Sequence, residues 1–274
     1  MKNTILSFIA LFLLTEYINA QVPQDSVPPQ PAAVPAQTAA VPQTTTQLKP
    51  ISYSGGYGHF FTGLGWIEPQ DLISHLQSPE VFGPSFAWDN TGISTGVEGF
   101  AEIHNLLVGG GGYALYIENM ESNLGVTRFS FGGGYAKVGY VAYQKPRYFM
   151  SVNAGFGGGV MYVGIENTSE STPIFFSSNV PVLPNQDKDY FRGYLLYDLS
   201  ISNKLIATYI DNNRRKYGGL MFGLDLGASF GLPIDTWRDE DGSVTGIPSP
   251  GNVVSPYLRL TIGGGGFRKH YPLQ

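Results

Sequence analysis

The sequence contains no cysteine. Disulfides, thiolate metal sites and lipid attachment through a cysteine are therefore excluded, and stability must come from packing or from a closed hydrogen-bond ladder. Charge is scarce as well. Asp, Glu, Lys and Arg make up 14% of the chain, where ordinary soluble domains carry roughly 25%, too few to cover a normal soluble surface. The net charge of −5 argues against nucleic acid as a partner, because phosphate binding wants a basic face. No stretch approaches the roughly 18 or more uninterrupted apolar residues that a spanning helix needs. If the chain enters a membrane, it does so as a barrel.

What the sequence does have is glycine and aromatic residues: 36 Gly, 17 Tyr and 17 Phe. It opens with Lys2, an apolar run from Ile5 to Leu14, and Ile18-Asn19-Ala20. This reads as a secretory signal over residues 1–20, cleaved after Ala20. Residues 21–50 repeat Pro, Ala, Gln, Val and Thr with almost no charge, the composition of a polyproline-leaning disordered linker. Extended at about 3.1 Å per residue it spans on the order of 90 Å. The folded domain is expected over 51–267, with 268–274 as a tail.

Within that domain the dominant pattern is period-two alternation, the mark of a two-faced strand. In Leu220 to Leu232, one face carries Leu220, Phe222, Leu224, Leu226, Ala228, Phe230 and Leu232, and the other Met221, Gly223, Asp225, Gly227, Ser229 and Gly231. Residues 148–164 and 191–201 behave likewise. The expected strands are 53–65, 91–103, 106–118, 125–142, 147–165, 190–202, 216–233 and 255–267. The phase is unclear in the first strand, slips at Gly132-Gly133-Gly134 where a bulge is expected, and is ambiguous over 203–216.

Short and long connections alternate. His104-Asn105 and Gln144-Lys145-Pro146 are tight, Asp211 to Arg215 fairly tight, and longer loops fall at 66–90, 119–124, 166–189 and 234–254. Up-and-down barrels of outer membranes have short turns on one side and longer loops on the other. On this pattern, residues 53–267 resemble the small eight-stranded outer-membrane β-barrels of the OmpA/OmpX type. The resemblance implies an all-β, antiparallel barrel of about eight strands, inserted by the envelope's assembly machinery in the outer membrane of a diderm bacterium. It also implies that the last strand ends in an aromatic residue read by that machinery, for which Phe267 is the candidate. Phe267 falls on the opposite parity from Leu258, Leu260 and Ile262, so either Gly263–Gly266 contains a bulge or the true end is Tyr271.

Motifs that carry chemistry elsewhere lack their context here. Gly92-Ile93-Ser94-Thr95-Gly96 matches a nucleophile elbow, which needs a helix after the serine, but a strand pattern follows. Gly109 to Ala114 contains G-x-G-x-x-A and also runs into a strand rather than the helix a dinucleotide site requires. Its glycines read as close-approach positions. Asp239-Glu240-Asp241-Gly242 resembles part of a calcium loop, yet Trp237 and Pro248 occupy ligand positions, so a turn at a loop tip is expected. His59, His75, His104 and His270 show no metal-ligand spacing. Pro69 to Leu76 reads as a short helix with Leu72, Ile73 and Leu76 on one face, packed into the loops, over the barrel mouth or at a lipid interface.

The alternation places Glu98, Glu102, Arg192, Asp198, Asp225 and Arg259 on inward faces. A charge facing lipid at the midplane costs roughly 2–4 kcal/mol, and an eight-stranded barrel is only just wide enough for its own side chains. These groups are therefore expected to form a hydrogen-bonded plug with Arg259 and Arg192 as hubs, a narrow solute path being the alternative. The expected role is structural, adhesive or in small-solute passage, without catalysis, metal or cofactor. Expected partners are outer-membrane lipids and lipopolysaccharide, the assembly machinery, and a periplasmic partner through the linker. A lipid-modifying barrel enzyme and a secreted β-sandwich or lipocalin-like binder are the competing readings.

Overall fold

The computed structural model describes residues 52–145, 147–178, 180–207 and 216–270. The expected signal, linker, tail end at Tyr271 and 208–215 turn lie outside the described residues. Eight long strands run β1 (Ser52–Trp66), β2 (Thr91–Ile103), β3 (Leu106–Glu121), β4 (Gly125–Lys145), β5 (Tyr148–Asn167), β6 (Asp187–Ile206), β7 (Lys216–Pro233) and β10 (Val253–His270). Between β7 and β10 lies a small hairpin of β8 (Arg238–Asp239) and β9 (Gly242–Ser243), and helix α1 (Gln70–Leu76) follows β1. Each long strand pairs antiparallel with its sequence neighbour, β10 pairs with both β7 and β1, and the sheet therefore has no free long edge. The fold is a closed, eight-stranded antiparallel barrel. No described helix is long and apolar enough to cross a membrane.

Two glycine runs differ from the sequence reading for one reason. Where glycines occupy both faces, alternation vanishes from the sequence although the ladder continues. The register runs without interruption through Gly132–Gly134 and through Gly263–Gly266, so neither holds a bulge. The irregularities fall instead between Ile117 and Met120 and between Val141 and Tyr143. Strand β6 begins at Asp187 and ends at Ile206, which settles Leu205 and Ile206 as strand. The expected loop at 119–124 shrinks to three residues, because β3 continues to Glu121 and β4 starts at Gly125. At the opposite end, His104 (φ 51°) and Asn105 (φ 70°) are both left-handed, the geometry that joins two strands by a two-residue turn.

The interior is layered. At the short-turn end, Tyr53, Tyr57, Phe100, Leu107, Val141, Phe149, Ile206, Tyr217, Met221 and Phe267 form one buried cluster. At the long-loop end a second cluster extends from Phe61, Tyr113 and Phe131 inside the barrel up into the loops. There Leu72, Ile73 and Leu76 of α1 are buried, and Val81, Phe86, Ile174, Phe176, Val182, Trp237 and Ile247 close over the mouth. Hydrogen bonds fasten this cap: His75 Nε2 to the Phe176 carbonyl (2.7 Å), Trp237 Nε1 to the Pro248 carbonyl (3.0 Å) and Trp88 Nε1 to the Ile67 carbonyl (3.2 Å). The helix thus packs into the cap rather than along the barrel's outer wall.

Candidate functional site

Between the two apolar clusters lies a layer of buried charge. Lys137 Nζ on β4 sits 2.7 Å from Glu98 Oε1 on β2 and 2.7 Å from Asp198 Oδ1 on β6. Tyr135 donates to Glu98 Oε1 at 2.5 Å. Asp198 further accepts from Ser229 Oγ (2.9 Å) and from the Tyr257 hydroxyl (2.9 Å). Lys204 Nζ on β6 donates to Asp225 Oδ1 (2.7 Å) and Thr261 Oγ1 (2.9 Å). His59 on β1 completes the layer, with Nε2 3.5 Å from Glu98 Oε2 and 3.7 Å from Asp225 Oδ2. All these charged side chains are buried. In a low-dielectric interior such groups persist only when paired and hydrogen-bonded.

Arg259 is held differently. Its guanidinium lies over three rings, 3.5 Å from the centroid of Tyr257, 4.4 Å from Phe61 and 4.8 Å from Tyr113, and its Nε donates to Ser94 Oγ at 3.0 Å. Asp225 is its cross-strand partner, but Lys204 has claimed that carboxylate. Planar guanidinium stacks well on aromatic faces, so the cage substitutes for an ion pair.

The sequence-derived residues therefore separate. Glu98, Asp198, Asp225 and Arg259 share the central layer. Glu102 is buried in the lower part of the barrel, where Gln144 Nε2 donates to its Oε2 at 3.3 Å and its Oε1 has no hydrogen-bond partner among the described residues. Arg192 points inward at the upper end, half-buried, 6.0 Å over the Trp237 ring. As a correction to the expected hubs, the ion pairs run through Lys137 and Lys204, with Tyr135 and Tyr257 hydrogen-bonded to the same carboxylates and His59 facing two of them.

A register signal connects these residues. Glu98 stands opposite Gly111, Asp198 opposite Gly155, Lys204 opposite Gly223, His59 opposite Gly263 and Arg259 opposite Gly63. A Cβ on Gly111 would approach Glu98 Cγ to 2.8 Å and collide with the Val97 carbonyl oxygen. Each large polar side chain thus lies over a neighbour that has none. This is the close approach expected of the Gly109–Gly112 run, with a specific client.

The other motifs resolve in place. Ser94 sits mid-strand in β2, buried, accepting from Arg259, so its G-x-S-x-G context is strand on both sides. At the loop tip, Asp239 Oδ1 accepts from the backbone N–H of Asp241 (2.9 Å) and Gly242 (3.1 Å), and Lys188 Nζ lies 3.3 Å from Asp239 Oδ2. The acids of that segment close a turn around a lysine. Phe267 faces the lumen, stacked on Tyr217 with centroids 5.4 Å apart, which explains its parity without a bulge.

No family model matches the chain, and no curated protein matches it. Among solved structures, it is similar to Ail, the attachment invasion locus protein of Yersinia pestis, at 10% identity and a TM-score of 0.39, covering 79% of this chain and 98% of that one. Neisserial surface protein A is matched at 9% identity and a TM-score of 0.34, over 81% and 100% of the two chains. The outer membrane protease OmpT from Escherichia coli is matched at 8% and 0.26, over 80% and 95%. Likenesses this distant transfer no function.

Proposed function

We propose that the protein is an integral outer-membrane barrel with a sealed lumen, serving a structural or surface-binding role rather than transport or catalysis. The observation that carries this reading is the inversion of polarity across the wall. Outward positions are Phe60, Leu64, Val97, Val138, Phe156, Leu199, Leu226 and Leu260, with Phe60 68% and Leu260 64% exposed, while the inward positions between the ends hold the charged layer. A soluble barrel or sandwich keeps the apolar face inside. A membrane-spanning barrel closed on itself satisfies every backbone group and offers apolar side chains to lipid. Outer-membrane lipid, with lipopolysaccharide in the outer leaflet, is the surrounding this wall fits, and insertion by the envelope's assembly machinery follows from that location.

The sealed lumen supports a role at the exposed end. The cap places Phe175, Leu183 and Ile234 at its surface above a well-packed apolar core, as a rigid binding surface would require. Ser94, the one motif-bearing nucleophile, is engaged by Arg259 inside the barrel, and His75 is engaged by a backbone carbonyl.

Fractionation tests the location. The mature protein should stay with outer membranes through high salt and carbonate, and should migrate faster on gels when unheated than when boiled. Release into the soluble fraction, with no heat-dependent shift, would establish the secreted-binder reading instead.

A further inference from the structure

We infer that His59, Glu98 and Asp225 form a binding site for one divalent transition-metal ion of the zinc type, inside the barrel. One ligand atom from each residue lies within 4.8 Å of the other two, and all three residues are buried. His59 is 6% exposed, and neither ring nitrogen has a hydrogen-bond partner among the described residues. Burying an imidazole with both nitrogens unsatisfied is costly. Its Nε2 faces the two carboxylates at 3.5 and 3.7 Å, beyond the 2.7–3.2 Å of a hydrogen bond. Metal–ligand bonds of about 2.0–2.2 Å place neighbouring ligand atoms of a tetrahedron roughly 3.3–3.6 Å apart, and the two imidazole-to-carboxylate separations already lie near that range.

The surroundings orient the ligands for this purpose. Lys137 holds Glu98 Oε1 and Lys204 holds Asp225 Oδ1, which leaves Oε2 and Oδ2 directed at the imidazole. Outer partners that fix which atom a ligand presents are a regular part of metal sites. Gly263, opposite His59 in β10, carries no side chain, so the imidazole reaches across that strand to Asp225 on β7. One imidazole nitrogen and two carboxylate oxygens suit zinc and its neighbours in the first transition row, and water would supply the fourth ligand. The ion would tie β1, β2 and β7 together.

Charge sets the affinity. Glu98, Asp198 and Asp225 are balanced by Lys137, Lys204 and Arg259 when the imidazole is neutral, so the ion adds two uncompensated positive charges beside two ammonium groups. The site should therefore bind more weakly than an all-thiolate structural site.

The test uses the whole mature chain refolded in detergent with Zn²⁺ or Co²⁺, passed over a chelating resin, and assayed for metal content. One equivalent in the wild type, absent from His59→Gln, is the expected result. Co²⁺ should give visible absorption of a tetrahedral nitrogen–oxygen site, and Zn²⁺ should shift the His59 ring resonances of the wild type, both readable without any variant. A wild type that retains no metal, equal retention by His59→Gln, or His59 ring resonances that are identical with and without Zn²⁺ would overturn the site and leave His59 as a structural partner of the two carboxylates.

Discussion

An ammonium held 2.7 Å from two carboxylates on different strands, as Lys137 is, couples three strands through one side chain. Truncating it leaves Glu98 and Asp198 facing each other without their shared cation. Breaking a buried pair from one side costs about 3–5 kcal/mol. Lys137→Met should therefore lower the urea-unfolding free energy of the detergent-folded barrel by about that amount, and a loss below about 1 kcal/mol would show that the ion pairs are incidental. The same residues explain what the sequence concealed. Lys137 follows the Gly132–Gly134 run where phase appeared to slip, Lys204 falls in the ambiguous 203–216 segment, and His59 lies in the strand of unclear phase. Asp198, by contrast, stood in a strand whose opposite face shows Leu195, Tyr197, Leu199 and Ile201 in unbroken alternation. Glycine on both faces removes the contrast that periodicity depends on, which hid Lys137 and His59, while Lys204 was hidden by the polar run Ser202-Asn203-Lys204 that breaks the alternation.

At the scale of elements, the eight long strands and the short helix were legible because each carries an apolar face with its own period, turned outward in the strands and buried in the helix. The β8–β9 hairpin was not, since two residues per strand carry no periodicity, and its existence depends on Asp239. Partial burial would raise the Asp239 carboxyl, but the hydrogen bond from Lys188 and the N–H groups of Asp241 and Gly242 outweigh it and hold the carboxyl below its ordinary value. A carboxyl depressed in the folded state contributes stability that is fully present above the unfolded value, about 3.9, and is lost as pH falls through the lower, folded value. Hydrogen exchange at residues 238–247 should thus be unchanged between pH 7 and pH 5 after correction for intrinsic rates, and should accelerate below about pH 4. Acceleration that persists in Asp239→Asn would assign the opening to another group.

At the scale of the molecule, three interior layers stand in series: the aromatic cluster at the short-turn end, the charged layer with the caged Arg259, and the apolar cluster continuous with the cap. Each is expected to stop ions for a different physical reason. The apolar layers exclude them by desolvation, while the middle layer has its charges already committed to one another. A general pore needs all three interrupted along one path, and an eight-stranded barrel has an interior only just wide enough for its own side chains. Planar bilayers containing the wild type should show no large, stable conductance. Shortening the 168–186 and 234–252 loops should leave them closed, because the charged and aromatic layers remain. Arg259→Ala removes the side chain that fills the space among Phe61, Tyr113 and Tyr257, and combined with the shortened loops it should produce small, flickering events limited by the aromatic layer. Large steady channels in the wild type would refute the seal, and opening by loop removal alone would place it entirely in the cap.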